Sequence, residues 1–141
     1  MSKFPVLALL LTLAACGSAL AQTAADVQAV NKVVRTPILT VPLTAAKTID
    51  HVRGVSIDFA PSQRTGRHQH PIPVVGYIVS GTIAFQVEGQ PARTLHAGEA
   101  FYEPADTTIA VFDNASNSEP AKFVGFYLMG AGETEVVRAA K

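Results

Sequence analysis

The sequence predicts a single all-β domain, and three observations carry that expectation. Its 141 residues are enough for one hydrophobic core and too few for two ordinary domains. From residue 36 onward, short β-branched and apolar runs alternate with turn residues, and no window of a dozen residues holds a helical period. Hydrophobic residues make up 48% of the chain against 16% charged, which excludes an intrinsically disordered protein.

The N-terminus reads as an address. After Lys3, residues 4–15 (FPVLALLLTLAA) form a continuous apolar run. That run is much shorter than the roughly 20 residues a membrane-crossing helix needs, and it fits the core of a signal peptide. Two processing sites overlap behind it. Ala19-Leu20-Ala21 before Gln22 has the small-x-small form of signal-peptidase cleavage, which makes residues 1–21 a signal peptide and the product a soluble periplasmic protein. Leu13-Ala14-Ala15-Cys16 resembles the bacterial lipobox, in which Cys16 is lipid-modified and anchors the chain to the membrane. Both routes export the domain, and only the second brings it to a membrane. Residues 22–35 place Val27, Val30, Val33 and Val34 at near-helical spacing but carry nothing that would hold a stable helix, so they read as a linker or one short helix.

The domain itself occupies residues 36–130, with 131–141 as a C-terminal tail. Strands are expected at 37–41, 52–59, 74–79, 82–87, 92–95, 100–103, 108–112 and 122–129. Between them lie PSQRTG at 61–66, Ser80-Gly81, Glu88-Gly89-Gln90-Pro91, Ala97-Gly98-Glu99 and NASNSEP at 114–120, all with turn chemistry. Ser80-Gly81 reads as a tight hairpin. About eight antiparallel strands in so short a domain must hide their edges, and a sandwich, a closed barrel and a jelly roll all do so.

Composition narrows the function classes. With 11 basic and 11 acidic residues the chain has no net field to attract nucleic acid. Its one cysteine, Cys16, can form neither an internal disulfide nor a thiolate zinc site, so any metal must be held by His, carboxylates and water. There is no Gly-x-Ser-x-Gly elbow, no phosphate-cradling glycine loop followed by Lys, and no His-Glu-x-x-His helix.

Residues 66–81 (GRHQHPIPVVGYIVSG) and 98–114 (GEAFYEPADTTIAVFDN) resemble the two motifs of the cupin superfamily. His68, His70 and Gly81 fall into register with the first, and Gly98, Pro104 and Asn114 with the second. The resemblance runs from about residue 36 to 129 and implies a jelly-roll barrel, the double-stranded β-helix, with a pocket at one mouth. In metal-binding cupins two His, a Glu and a third His converge on one divalent ion. Here the Glu position is Val74, the third His position is Ile109, and a motif glycine is Asp106. The complete ligand set is therefore not present.

His68 and His70 alternate correctly to share one face of a strand, so both can point into the barrel. They read as candidate metal ligands, polar anchors for a ligand, or two histidines that hydrogen-bond within the pocket. Glu103 can supply a replacement carboxylate, or it is a surface or supporting group in its strand. The candidate pocket residues are His68, His70, Val74 and Ile109. Any cofactor would be a weakly held divalent transition ion, Fe, Mn, Ni or Zn. Arg53, Arg64 and Arg67 read as solvated charges, or one of them reaches an anionic ligand at the pocket mouth; His96 reads as a loop-edge residue, Tyr77 as packing, and the other aromatics as core with some lining the pocket. The expected function is an exported barrel that binds a small molecule without a complete catalytic metal site. The alternative is a metal-dependent oxygenase or isomerase with an atypical ligand set. A homodimer through sheet faces or edges, the strand at 37–41 among them, is the expected protein partner.

Overall fold

Alternating inward and outward side chains build two facing sheets around one apolar interior. In the computed structural model the described residues are 33–43, 46–135 and 138–139. The expected signal peptide, Cys16 and most of the expected linker lie outside them. Residues Pro37–Lys141 form one compact unit. Among the described residues there is no helix, and nine strands occur: β1 His51–Phe59, β2 His68–Gln69, β3 Val74–Ser80, β4 Thr82–Val87, β5 Arg93–His96, β6 Ala100–Glu103, β7 Ile109–Asn114, β8 Ala121–Met129 and β9 Arg138–Ala139. They form a sheet of order β1-β8-β3-β6 facing one of order β5-β4-β7-β2-β9.

Only β4 and β5 are consecutive strands that pair with each other, through the turn at Glu88-Gly89-Gln90-Pro91. Every other connection carries the chain from one sheet to the other, which is the winding of a jelly roll. Ser80-Gly81 is therefore not a hairpin. It is a corner at which β3 leaves one sheet and β4 enters the other. Gly81 has φ +76, and a Cβ there would lie 2.6 Å from the Pro120 carbonyl, so the corner requires glycine.

Residues 37–41 are not a strand. Pro37 and Pro42 bracket the stretch, and proline cannot donate to a ladder. The chain from 33 to 35 is exposed and has no regular structure. The stretch read as a tail contributes β9, in which Ala139 pairs with His68 and Arg138 with Gln69. Lys47 pairs with Glu133, which also accepts the Gly130 N–H at 2.6 Å, and these bonds hold the Glu133 carboxyl below its ordinary range.

The core is a cluster of aromatic rings in edge and tilted contact. Phe112 lies 4.9 Å from Phe123 and 5.0 Å from Phe101 between ring centroids, and Phe59 lies 5.0 Å from Phe123. Such pairs add to their area burial. Tyr77 and Phe126, expected to pack, instead stand partly exposed on the outer face of their sheet.

Asn114 closes the end of the barrel away from the histidines. Its Nδ2 donates to the Ala60 carbonyl at 3.0 Å and to the Glu119 carbonyl at 2.8 Å, while Oδ1 accepts the Ser116 N–H at 2.9 Å. The residue is buried, so its loss strands those groups. Asn114→Ala is expected to destabilise the fold by about 2–3 kcal/mol, at about 1 kcal/mol per bond, in denaturant melts. A change under about 0.5 kcal/mol, the ordinary scatter of surface substitutions, would remove this role.

Candidate metal centre

Strand register assembles the site from both sheets. On the inner face of the first sheet, Arg53, Tyr127, Val74 and Glu103 form one row across β1, β8, β3 and β6. Val74 and Glu103 are direct cross-strand partners. Paired residues share a face, so the carboxylate absent at position 74 is supplied one strand over. From the second sheet, β2 presents His68 opposite Ile109, and His70 follows just past its end.

The backbone around His70 explains one departure from the family motif. Asp106 stands where the motif has glycine, and its φ is +52, a left-handed conformation that Asp tolerates better than most residues. From there its N–H donates to the His70 carbonyl at 2.7 Å.

His68, His70 and Glu103 are all buried. Each offers one ligand atom, and these atoms lie within 4.8 Å of one another. His68 Nδ1 lies 2.9 Å from the Gly66 carbonyl. A carbonyl only accepts, so Nδ1 carries a proton, and in the neutral ring Nε2 keeps its lone pair. Thr65 supports this ring, with its hydroxyl 3.4 Å from the same nitrogen while it bonds the Phe112 carbonyl at 2.9 Å. His70 Nε2 lies 3.2 Å from Glu103 Oε2, and His70 Nδ1 is buried with no hydrogen-bond partner among the described residues.

These residues could hold a metal ion. Two ligands each about 2.1 Å from one ion stand about 3.0–3.4 Å apart at octahedral or tetrahedral angles, which brackets the His70–Glu103 separation. Two imidazoles and one carboxylate leave open positions on such an ion for water or a ligand.

The three groups face a cavity of about 210 Å³. Its other lining residues are mainly apolar, with Val74 beside Glu103 and four phenylalanines as floor and wall. Ile109 does not line it. That side chain is fully buried in the core cluster, although its backbone pairs with His68. None of the three arginines enters either. Arg53 pairs with Glu135 at 2.8 Å, Arg67 with Glu88 at 2.7 Å, and Arg64 is exposed. His96 is exposed, and its N–H donates to the Glu99 carboxylate at 2.6 Å.

Sequence reasoning gave Tyr127 no role of its own, placing it among aromatics that form the core or line the pocket. It lines the cavity with its ring centroid 5.5 Å from that of His70. Burial first, then the carboxylates of Glu103 and Glu135, push its phenol above the ordinary range against a pull from Arg53, so the hydroxyl stays protonated. The signal was the alternation Phe123, Gly125, Tyr127, which places all three on the inner face of β8.

The family model of the cupin domain matches residues 55–128, more than half of the chain. The chain is a cupin. Solved structures carry the same fold. The DMSP lyase DddQ from Ruegeria pomeroyi is 22% identical with a TM-score of 0.56 over 64% of this chain and 44% of that one. Oxalate oxidase bound to glycolate is 21% identical with a TM-score of 0.54 over 62% of this chain and 45% of that one. A double-stranded β-helix protein from Klebsiella pneumoniae is 20% identical with a TM-score of 0.53 over 64% of this chain and 75% of that one. This cupin thus spans less than half the length of the lyase and oxidase chains. A search of curated protein sequences finds no match.

Proposed function

We propose that this cupin is an exported, metal-dependent protein that binds and converts a small molecule at His68, His70 and Glu103. The observation that carries the reading is the carboxylate of Glu103, 3.2 Å from His70 Nε2 and directly across from the position where the family motif has its Glu. This favours the atypical-ligand alternative over a binding module without a complete metal site. The lyase and oxidase neighbours are named for small-molecule chemistry carried out on this fold, while a shared fold by itself selects no reaction. Export is supported by the apolar run at 4–15 and the cleavage pattern before Gln22.

The bound ion would supply Lewis acidity to an oxygen of the ligand. His68 is held with Nε2 as its free donor by the bond from Nδ1 to the Gly66 carbonyl. His70 and Glu103 supply the second nitrogen and the carboxylate. The protonated Tyr127 hydroxyl is a donor at the cavity wall, and the phenylalanine floor excludes water from the buried side.

Elemental analysis of protein purified without chelator or affinity-tag metal tests the reading. Close to one transition ion per chain is expected, with none in His68→Ala/His70→Ala. Equal metal content in the two proteins, or none in either, overturns it.

A further inference from the structure

The cavity walls say which molecules the proposed metal centre serves, an inference that rests on the metal reading above. Apart from the three ligand residues and Tyr127, the lining is Thr65, Val74, Ile57, Gly125 and the rings of Phe59, Phe101, Phe112 and Phe123. The rings brace one another in edge contacts, so this wall is fixed. No Lys or Arg is among the lining residues. Arg53, which pairs with Tyr127 across the strands, is committed to Glu135.

A dianionic ligand whose two carboxylates point apart can bring only one of them to the metal end, and would leave the other charge against phenyl rings with no cation to meet it, which is strongly unfavourable. A compact ring with a single oxygen meets no such cost. Its carbon face is buried against the aromatic wall, and its oxygen reaches the polar end at His68, His70, Glu103 and Tyr127. The size agrees, since an apolar cavity of about 150 Å³ accepts benzene and this one is about 210 Å³.

We propose that the cavity takes uncharged monocyclic molecules carrying one oxygen donor, of which phenol is the simplest probe. Gly125 gives a clean handle. It lines the cavity, and a Cβ there would meet Val74, Tyr127 and Ile57 at 3.6, 3.7 and 3.9 Å, ordinary contacts that fill space without strain.

The full chain, metal-free and metal-loaded, is titrated calorimetrically with phenol and with fumarate, whose two carboxylates point apart, and the metal content of each sample is read separately. Phenol is expected to bind one per chain in both forms and more tightly than fumarate. Gly125→Ala is expected to weaken phenol roughly 5-fold, the effect of one methyl's worth of lost space, without changing metal content. Tighter binding of fumarate by the metal-loaded protein, no phenol binding, or a Gly125→Ala protein that binds phenol as the wild type does overturns the proposal. Phenol bound by a protein that retains no metal removes the metal reading alone, and metal retained without phenol binding removes the present one alone.

Discussion

Gly76→Ala is expected to unfold the barrel or bring it close to unfolding. Gly76 lies on the inner face of β3, paired with Phe101 on one side and Gly125 on the other. The Phe101 ring lies across it, and a Cβ at position 76 would fall 2.0 Å from Cζ, 2.3 Å from Cε1 and 2.7 Å from Cε2. The ring is 1% exposed and in contact with Phe85, Phe112 and Phe123, so it could yield only into the cavity that it lines, at the loss of those contacts. Overpacking of a closed core costs about 1–3 kcal/mol and occasionally more. A single domain of this size has only about 5–15 kcal/mol in total, so a loss of about 3 kcal/mol or more is a large share.

The same change reaches the site, because Glu103 is two residues from Phe101 on the strand that Gly76 holds. Denaturant melts of Gly76→Ala, Phe101→Leu and the double variant check the account. The ring's removal should relieve the alanine, so the double variant should be more stable than the two single losses summed. A Gly76→Ala protein that melts with the wild type would show that the ring moves freely, and the steric account would fail.

The second large effect concerns the displaced carboxylate. Glu103→Val is expected to lower affinity for a divalent transition ion by at least about 100-fold, beyond the 10–100-fold typical of losing a group that only supports a ligand. Because positions 74 and 103 face each other on neighbouring strands, about 4.8 Å apart, Val74→Glu in the Glu103→Val background should recover most of that affinity. Competition with a chromophoric chelator measures both. A Glu103→Val protein that keeps wild-type affinity means the carboxylate is not a ligand. A double variant no better than the single one means the cavity does not treat the two strands as equivalent.

Much of this was legible in the residues, and the gaps have physical causes. The long strands were readable because alternation over six to nine residues leaves a clear period. The two-residue β2 and β9 were not, since two residues carry no period. The bracketing prolines at 37 and 42 warned against a strand, and the apolar residues between them outweighed that warning. Ser80-Gly81 announced a reversal correctly, but turn chemistry describes φ and ψ and says nothing of which sheet the next strand joins.

At the site, His68 and His70 followed from their spacing. Glu103 was visible only as a carboxylate beside a motif proline, because its value depends on facing Val74 across a ladder between strands 29 residues apart in sequence. Ile109 was misplaced for the same kind of reason. Its backbone runs beside His68, while its side chain lies in the core.

By itself, then, the sequence determined the all-β class, the apolar interior, the two histidines on one face and the loss of two motif ligands, because each depends on residue type and local period. Only the tertiary structure decided that Glu103 completes the cluster, that Tyr127 joins the cavity and that Gly76 makes room for Phe101. Those facts follow from strand register and packing, which bring together residues that local spacing cannot relate.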